Sequence, residues 1–181
     1  MERFWNYIHS SIFYFANFIF SLLSKLDPFN YILRIPFVVK MYEKRGILNP
    51  AKQVDDIVFG NKETGWLSIW SGIQMGGMLV LLQYSIFNLI QAILGKSLIQ
   101  YVWEDSLNKW IFLIGLLVMP AIINYYLLWK EDKYLTYFKE FEKESKEVKR
   151  KWAWISFTIV LGIILILIAS YWIMIIGLNR E

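Results

Sequence analysis

The sequence predicts an all-α membrane protein: a polytopic bundle of three or four transmembrane helices with amphipathic interfacial and cytoplasmic helices. Three observations predict it. The chain of 181 residues is 57% hydrophobic and 18% aromatic, and its apolar residues come in long blocks rather than in a periodic scatter. One block, Trp66 to Gly95, runs for thirty residues without Asp, Glu, Lys or Arg. The basic residues gather in two segments between apolar blocks, seven in Lys25–Gly65 and eight in Lys130–Lys151. One integral membrane domain, residues 1–181, accounts for the whole chain.

Phe4–Ser24 carries no charge and is just long enough to cross a bilayer. Asn6, Ser10, Asn17, Ser21 and Ser24 gather on one helical side. The segment therefore reads either as a transmembrane helix packed on the bundle or as an amphipathic helix in the interface. His9, the one histidine, lies beside the polar side; a hydrogen-bonded structural role is simpler than a titrating or pore-lining one. Lys25–Gly65 follows as a cytoplasmic or interfacial segment. Asp27-Pro28 and Ile35-Pro36 break regular helix, and basic residues alternate with rings suited to headgroup depth. Asn49-Pro50 is a helix start and Gly60 a stop, so Pro50–Phe59 is expected to be a short helix. Asp55 and Asp56 within it point about 100° apart and make a poor acid/base pair.

Trp66–Gly95 is the expected central transmembrane helix. At 1.5 Å per residue it would extend roughly 45 Å, against a hydrocarbon core of about 30 Å. Ser71, Gln74, Met78, Leu81, Ser85, Asn88 and Ala92 recur at steps of three and four. This largely polar side suits a polar lumen or an interhelical face better than lipid. The opposite side carries Gly72, Gly76 and Gln83, where Gly72-x-x-x-Gly76 lets another helix come close. That side is the expected helix-packing or oligomer interface.

Lys96–Lys109 is a short connection with Tyr101 and Trp103 at interfacial depth. Trp110–Trp129 is the next transmembrane helix, bracketed by tryptophans. Pro120 inside it leaves the carbonyl of Leu116 without its usual donor, so a kink and a candidate hinge are expected there. Asn124, one turn on, needs a partner inside the bundle and joins the candidate polar set. Lys130–Lys151 mixes eight basic with six acidic side chains around Tyr134, Phe138, Phe141 and Val148. It is expected to be a cytoplasmic amphipathic helix continuing from the preceding span; its alternating charges disfavour nucleic acid. Trp152–Gly177 is the last and most hydrophobic transmembrane helix.

The positive-inside rule puts both basic segments in the cytoplasm and the C-terminus outside. No short hydrophobic run is followed by a small-residue cleavage site, so no removable signal is expected. Residue usage points to an AT-rich bacterial genome and thus to the inner membrane. With no cysteine, disulfides and Cys-containing metal or haem sites are excluded. No catalytic residues, metal ligands or cofactor site assemble from the sequence, and no enzyme activity is expected. A Ser nucleophile would need His9 or a lysine as its base, and no carboxylate lies within a predicted span.

Two function classes remain. The first is a homo-oligomer in the lipid bilayer acting as a pore or membrane-perturbing effector, the kind of protein found in antiviral defence systems. The second is a scaffold or accessory subunit whose Lys25–Gly65 and Lys130–Lys151 segments dock a soluble cytoplasmic partner.

Overall fold

The computed structural model describes residues 1–23, 32–55, 57, 62 and 65–179. It is 88% helical and has no strand among the described residues. In order the helices are α1 (Glu2–Leu23), α2 (Pro36–Glu43), α3 (Pro50–Asp55), α4 (Trp66–Leu94), α5 (Leu98–Glu104), α6 (Ser106–Asn124), α7 (Lys133–Lys143) and α8 (Lys146–Leu178). A π-helical turn, Tyr125–Trp129, and a 3-10 turn, Lys130–Asp132, join α6 to α7.

Among the described residues three helical runs are long and apolar enough to cross a membrane: α4, the run Ser106–Lys143 that contains α6, the two turns and α7, and α8. α4 lies between the other two and also touches α1. Asn88 meets Ser170 and Ala92 meets Gly177, so α4 and α8 run in the same direction. Phe87 meets Phe112 and Gly76 meets Asn124, so α6 runs the opposite way. The outer sides of the three helices are apolar, with Ile86, Ile93, Ile114, Leu117, Leu165 and Ile173 all exposed. Such a surface suits hydrocarbon rather than water.

The end of the bundle where α4 and α8 begin carries the charge, and is here the basic end. α1 is inserted there. Trp5 reaches Asn124, Asn6 the carbonyl of Leu127, His9 reaches Ser71, and Phe13 packs with Leu67 and Phe138. Residues 6–13 are buried around the full circumference of the helix, polar and apolar alike. On its other side lies α7, whose Phe138 and Phe141 are buried against it. Tyr7 packs edge-to-face on Phe141 and Trp152 at 5.3 and 5.1 Å, and Phe13 on Phe138 at 4.9 Å. α1 is thus sandwiched between the ends of the long helices and α7. It is not among the three helices apolar enough to cross.

Several local expectations meet the structure directly. Asn49 caps α3, its side-chain oxygen accepting from the Lys52 amide at 3.0 Å. α3 is described only to Asp55; the rest of Pro50–Phe59 and the Gly60 stop lie outside the described residues, apart from Ile57. The 96–109 connection contains α5, and Asp105 caps α6 by accepting from the Leu107 amide.

Lys130–Lys151 is not one helix. Glu131 and Asp132 adopt left-handed φ of 60° and 51° and separate α7 from α6. Ser145 then starts a new helix, accepting from the Val148 amide, so Val148 belongs to α8 and not to the α7 face. α6 runs as helix through Pro120 to Asn124, where it gives way to the π-helical turn.

Among the described glycines the tightest backbone approach is at Gly177. A Cβ built there would lie 2.6 Å from the Ala92 oxygen and 2.7 Å from its Cα. Gly162, on the same helix, has nothing within 4 Å. Gly177→Ala is therefore expected to lower stability by about 1–3 kcal/mol, because α4 and α8 must separate. Gly162→Ala should leave it unchanged within about 0.5 kcal/mol. Thermal unfolding of both variants in detergent checks this, and equal melting temperatures would contradict the close approach.

Candidate functional site

The polar side chains of the bundle converge at two places. The first is the junction of α1, α4 and α6. Asn124 is 4% exposed. Its oxygen accepts from the Trp5 indole at 3.1 Å, and its amide donates to the Gly72 carbonyl at 3.1 Å. One residue thus joins three helices. Nearby, Asn6 donates to the Leu127 carbonyl at 2.8 Å, and Lys133 donates to the Tyr126 carbonyl at 3.3 Å. Both acceptors lie in the π-helical turn, where the regular donors of α6 run out.

His9 and Ser71, both fully buried, are 2.8 Å apart in the same region. A serine beside a histidine raises the question of an activated nucleophile. The Ser71 hydroxyl lies 2.9 Å from the Ser68 carbonyl as well as 2.8 Å from His9 Nε2, and the histidine tautomer decides which group donates. Nδ1 has no hydrogen-bond partner in the protein, so no third group orients the ring. In either tautomer the contact ties α1 to α4.

The second place is the α4–α8 seam toward the far end. Asn88 donates to Ser170 at 3.3 Å, and Ser170 donates to the Leu167 carbonyl. Gln91 donates to the Met174 sulfur and accepts from the Ile99 amide, tying the seam to α5. Ser85 donates to the Leu81 carbonyl within its own helix. A groove of about 510 Å³ lined by Val80, Leu81, Tyr84, Leu167 and Ile168 runs over Asn88.

The candidate lumen residues are therefore divided. Ser71, Ser85, Asn88 and Asn124 are buried within the protomer, whereas Gln74 is exposed on the outer side of α4. Of the candidate interface residues, Gly72 lies under the Trp129 indole, 3.0 Å from a built Cβ, and Gly76 lies beside the Asn124 amide at 3.2 Å. Both glycines admit side chains of α6 and the turn after it, and neither faces outward. Gln83 is half-buried, with an oxygen that has no partner in the protein. Pro120 is buried inside α6.

Gly77 escaped the sequence reading. It is exposed, with nothing within 4 Å, and sits one turn from Gln74. The small residue was visible in the sequence, but Gly72-x-x-x-Gly76 drew the attention to the other side of the helix.

Ion pairs fasten α1 to α7 and the segment just beyond it. Glu2 pairs with Lys133 at 2.8 Å and accepts from the Tyr137 hydroxyl, while Arg3 reaches Glu144 at 3.3 Å. The Lys133 hydrogen bond holds the Glu2 carboxyl below its ordinary value, in spite of some desolvation. Lys62 and Tyr14 do the same for Glu142. Among the described residues no group of His, Asp and Glu is arranged to hold a metal ion. No family model, curated protein or solved structure matches the chain.

The Asn124 junction predicts coupled rather than additive effects. Asn124→Leu is expected to cost about 1–2 kcal/mol and Trp5→Phe about 0.5–1 kcal/mol, in line with interhelical hydrogen bonds in membranes. The double variant should cost less than the sum by about 0.5 kcal/mol, since both remove the same bond. A double-mutant cycle from unfolding in mixed micelles measures this, and strict additivity would mean the indole and amide do not interact.

Proposed function

We propose that the chain is a non-enzymatic bacterial inner-membrane protein that assembles with itself through the outer side of α4 and presents its folded basic end to a soluble partner. The observation that carries self-assembly is the exposed Gln74 with the open Gly77 beside it. Gln74 lies eight residues into α4, about 12 Å from its start, where a lone amide facing lipid would go unpaired. An amide both donates and accepts, so Gln74 from two copies about a two-fold axis can satisfy each other. Gly77 would let the two helices approach.

A polar pore finds less support. Ser71, Ser85, Asn88 and Asn124 already face inward within one protomer, which leaves Gln74 as the exposed member of the candidate lumen set. The scaffold component is supported by the basic end itself. There α1 and α7 form a packed layer whose outer side is charged, with Thr136, Lys139 and Glu140 exposed. Fifteen of the nineteen basic residues fall in Lys25–Gly65 and Lys130–Lys151, so the positive-inside rule faces this layer to the cytoplasm.

With α1 at the basic end, three helices cross, the N-terminus is cytoplasmic and the C-terminus is outside. A cysteine placed ahead of Arg3 in this Cys-free chain should be protected from an impermeant maleimide in intact cells and labelled after lysis. Labelling in intact cells would instead mean that α1 crosses.

Self-assembly is tested by Gln74→Leu and Gly77→Leu. Both should reduce crosslinked or native-mass oligomer at least several-fold while leaving the protomer folded. Gly72→Leu should instead lower the stability of the protomer itself, because its side chain would displace the Trp129 indole. A wild-type monomer in both mild detergent and nanodiscs would end the self-assembly reading and leave the scaffold.

A further inference from the structure

Beyond Phe13, α1 leaves the shelter of the bundle on one side only. Phe13, Ala16 and Phe20 pack toward Leu67 and Phe138. Phe15, Phe18, Ile19, Leu22 and Leu23 are exposed, Phe15 at 67%. These five follow the three- and four-residue steps of a single helical stripe. A stripe of this kind in water would be a liability, and within the described residues nothing covers it.

Its position names the medium. Phe13 contacts Leu67, the second residue of α4, so the stripe emerges at the depth where Trp66, Ile69 and Trp70 are exposed. It thus continues the apolar outer belt of the long helices at the level of the tryptophans, which favour the membrane interface. Charge names the leaflet. Between Arg3 and Lys25 there is no charged residue at all, and residues 24–45 carry five basic side chains against Asp27 and Glu43. An apolar stripe followed by a basic segment is the pattern that binds an interface rich in anionic lipid.

We infer that the outer half of α1, residues 15–23, is a membrane-docking arm that lies in the anionic cytoplasmic leaflet beside the bundle. The arm adds lateral reach at the interface without adding a span. Since Ala16 and Phe20 of the arm pack in the same cluster as Phe138 of α7, the lipid surface holds that layer against the ends of the spans.

Spin labels attached to Phe18→Cys, Leu22→Cys and, as an aqueous control, Lys139→Cys test this in the full chain. Each labelled protein would be placed in nanodiscs of phosphatidylcholine alone and with phosphatidylglycerol. Variants whose melting temperatures match the parent chain are compared. At positions 18 and 22 collision with oxygen should exceed collision with a nickel chelate several-fold, with the reverse order at 139. Adding phosphatidylglycerol should raise the ratio at 18 and 22. Nickel access at 18 and 22 equal to that at 139 would put the stripe in water and overturn the proposal. Shielding from both reagents would mean that a second copy or a protein partner covers the stripe, which also overturns it. A ratio indifferent to phosphatidylglycerol would overturn the anionic preference.

Discussion

Where α6 comes apart, backbone carbonyls lose their donors at the end of an apolar helix, and the fold of the basic end depends on replacing those donors. A carbonyl facing hydrocarbon without a partner costs several kcal/mol. At Tyr126 and Leu127 the replacements come from Lys133 and Asn6. The Asn6 donor brings α1 into the bundle, and the Lys133 donor fixes how α7 turns back. Once α1 is there, Trp5 can reach Asn124 and His9 can reach Ser71. The aromatic contacts of Tyr7, Phe13, Phe138 and Phe141 then close the sandwich. A break in one helix is thus the reason another helix is held.

Polar residues in the spans serve this joining chemistry at both ends of the bundle. Asn124 and Ser71 connect α1, α4 and α6, while Asn88 and Gln91 connect α4, α5 and α8. Every one of these bonds is internal to the protomer. That leaves little polar surface on the outer sides of these helices, where Gln74 and Thr158 are exposed.

Much of this was legible in the sequence, for identifiable reasons. The charge-free runs marked α4, α6 and α8, because a span must be apolar over its whole length. The Asn49 start is local, set by a side chain and an amide three residues away, whereas the Asp105 cap, which starts α6 at Ser106 rather than at Trp110, was missed. The need of Asn124 for a partner was also visible, although the partner was not. What stayed hidden is long-range or conformational. The polar side of α1 suggested a span packed on the bundle by one side or an interfacial helix, yet residues 6–13 are buried all round, since α7 covers the face that the long helices do not. Glu131 and Asp132 adopt left-handed backbone without a glycine to announce it. Gly72 was recognised as a place of close approach, but an indole rather than a backbone fills it. A close backbone contact, Gly177 on Ala92, pairs residues that no periodicity connects.

The parallel arrangement of α4 and α8 has a consequence for how the chain is made. Contacts between parallel elements need a long connection, here the whole stretch containing α5, α6 and α7. Asn88 must wait for Ser170, 82 residues later, and Arg3 for Glu144, 141 residues later. Synthesis adds residues at roughly 5–20 per second, so α1 is made many seconds before Glu144 and is seated only once α7 exists. During that interval its buried surface is exposed to whatever surrounds the nascent chain.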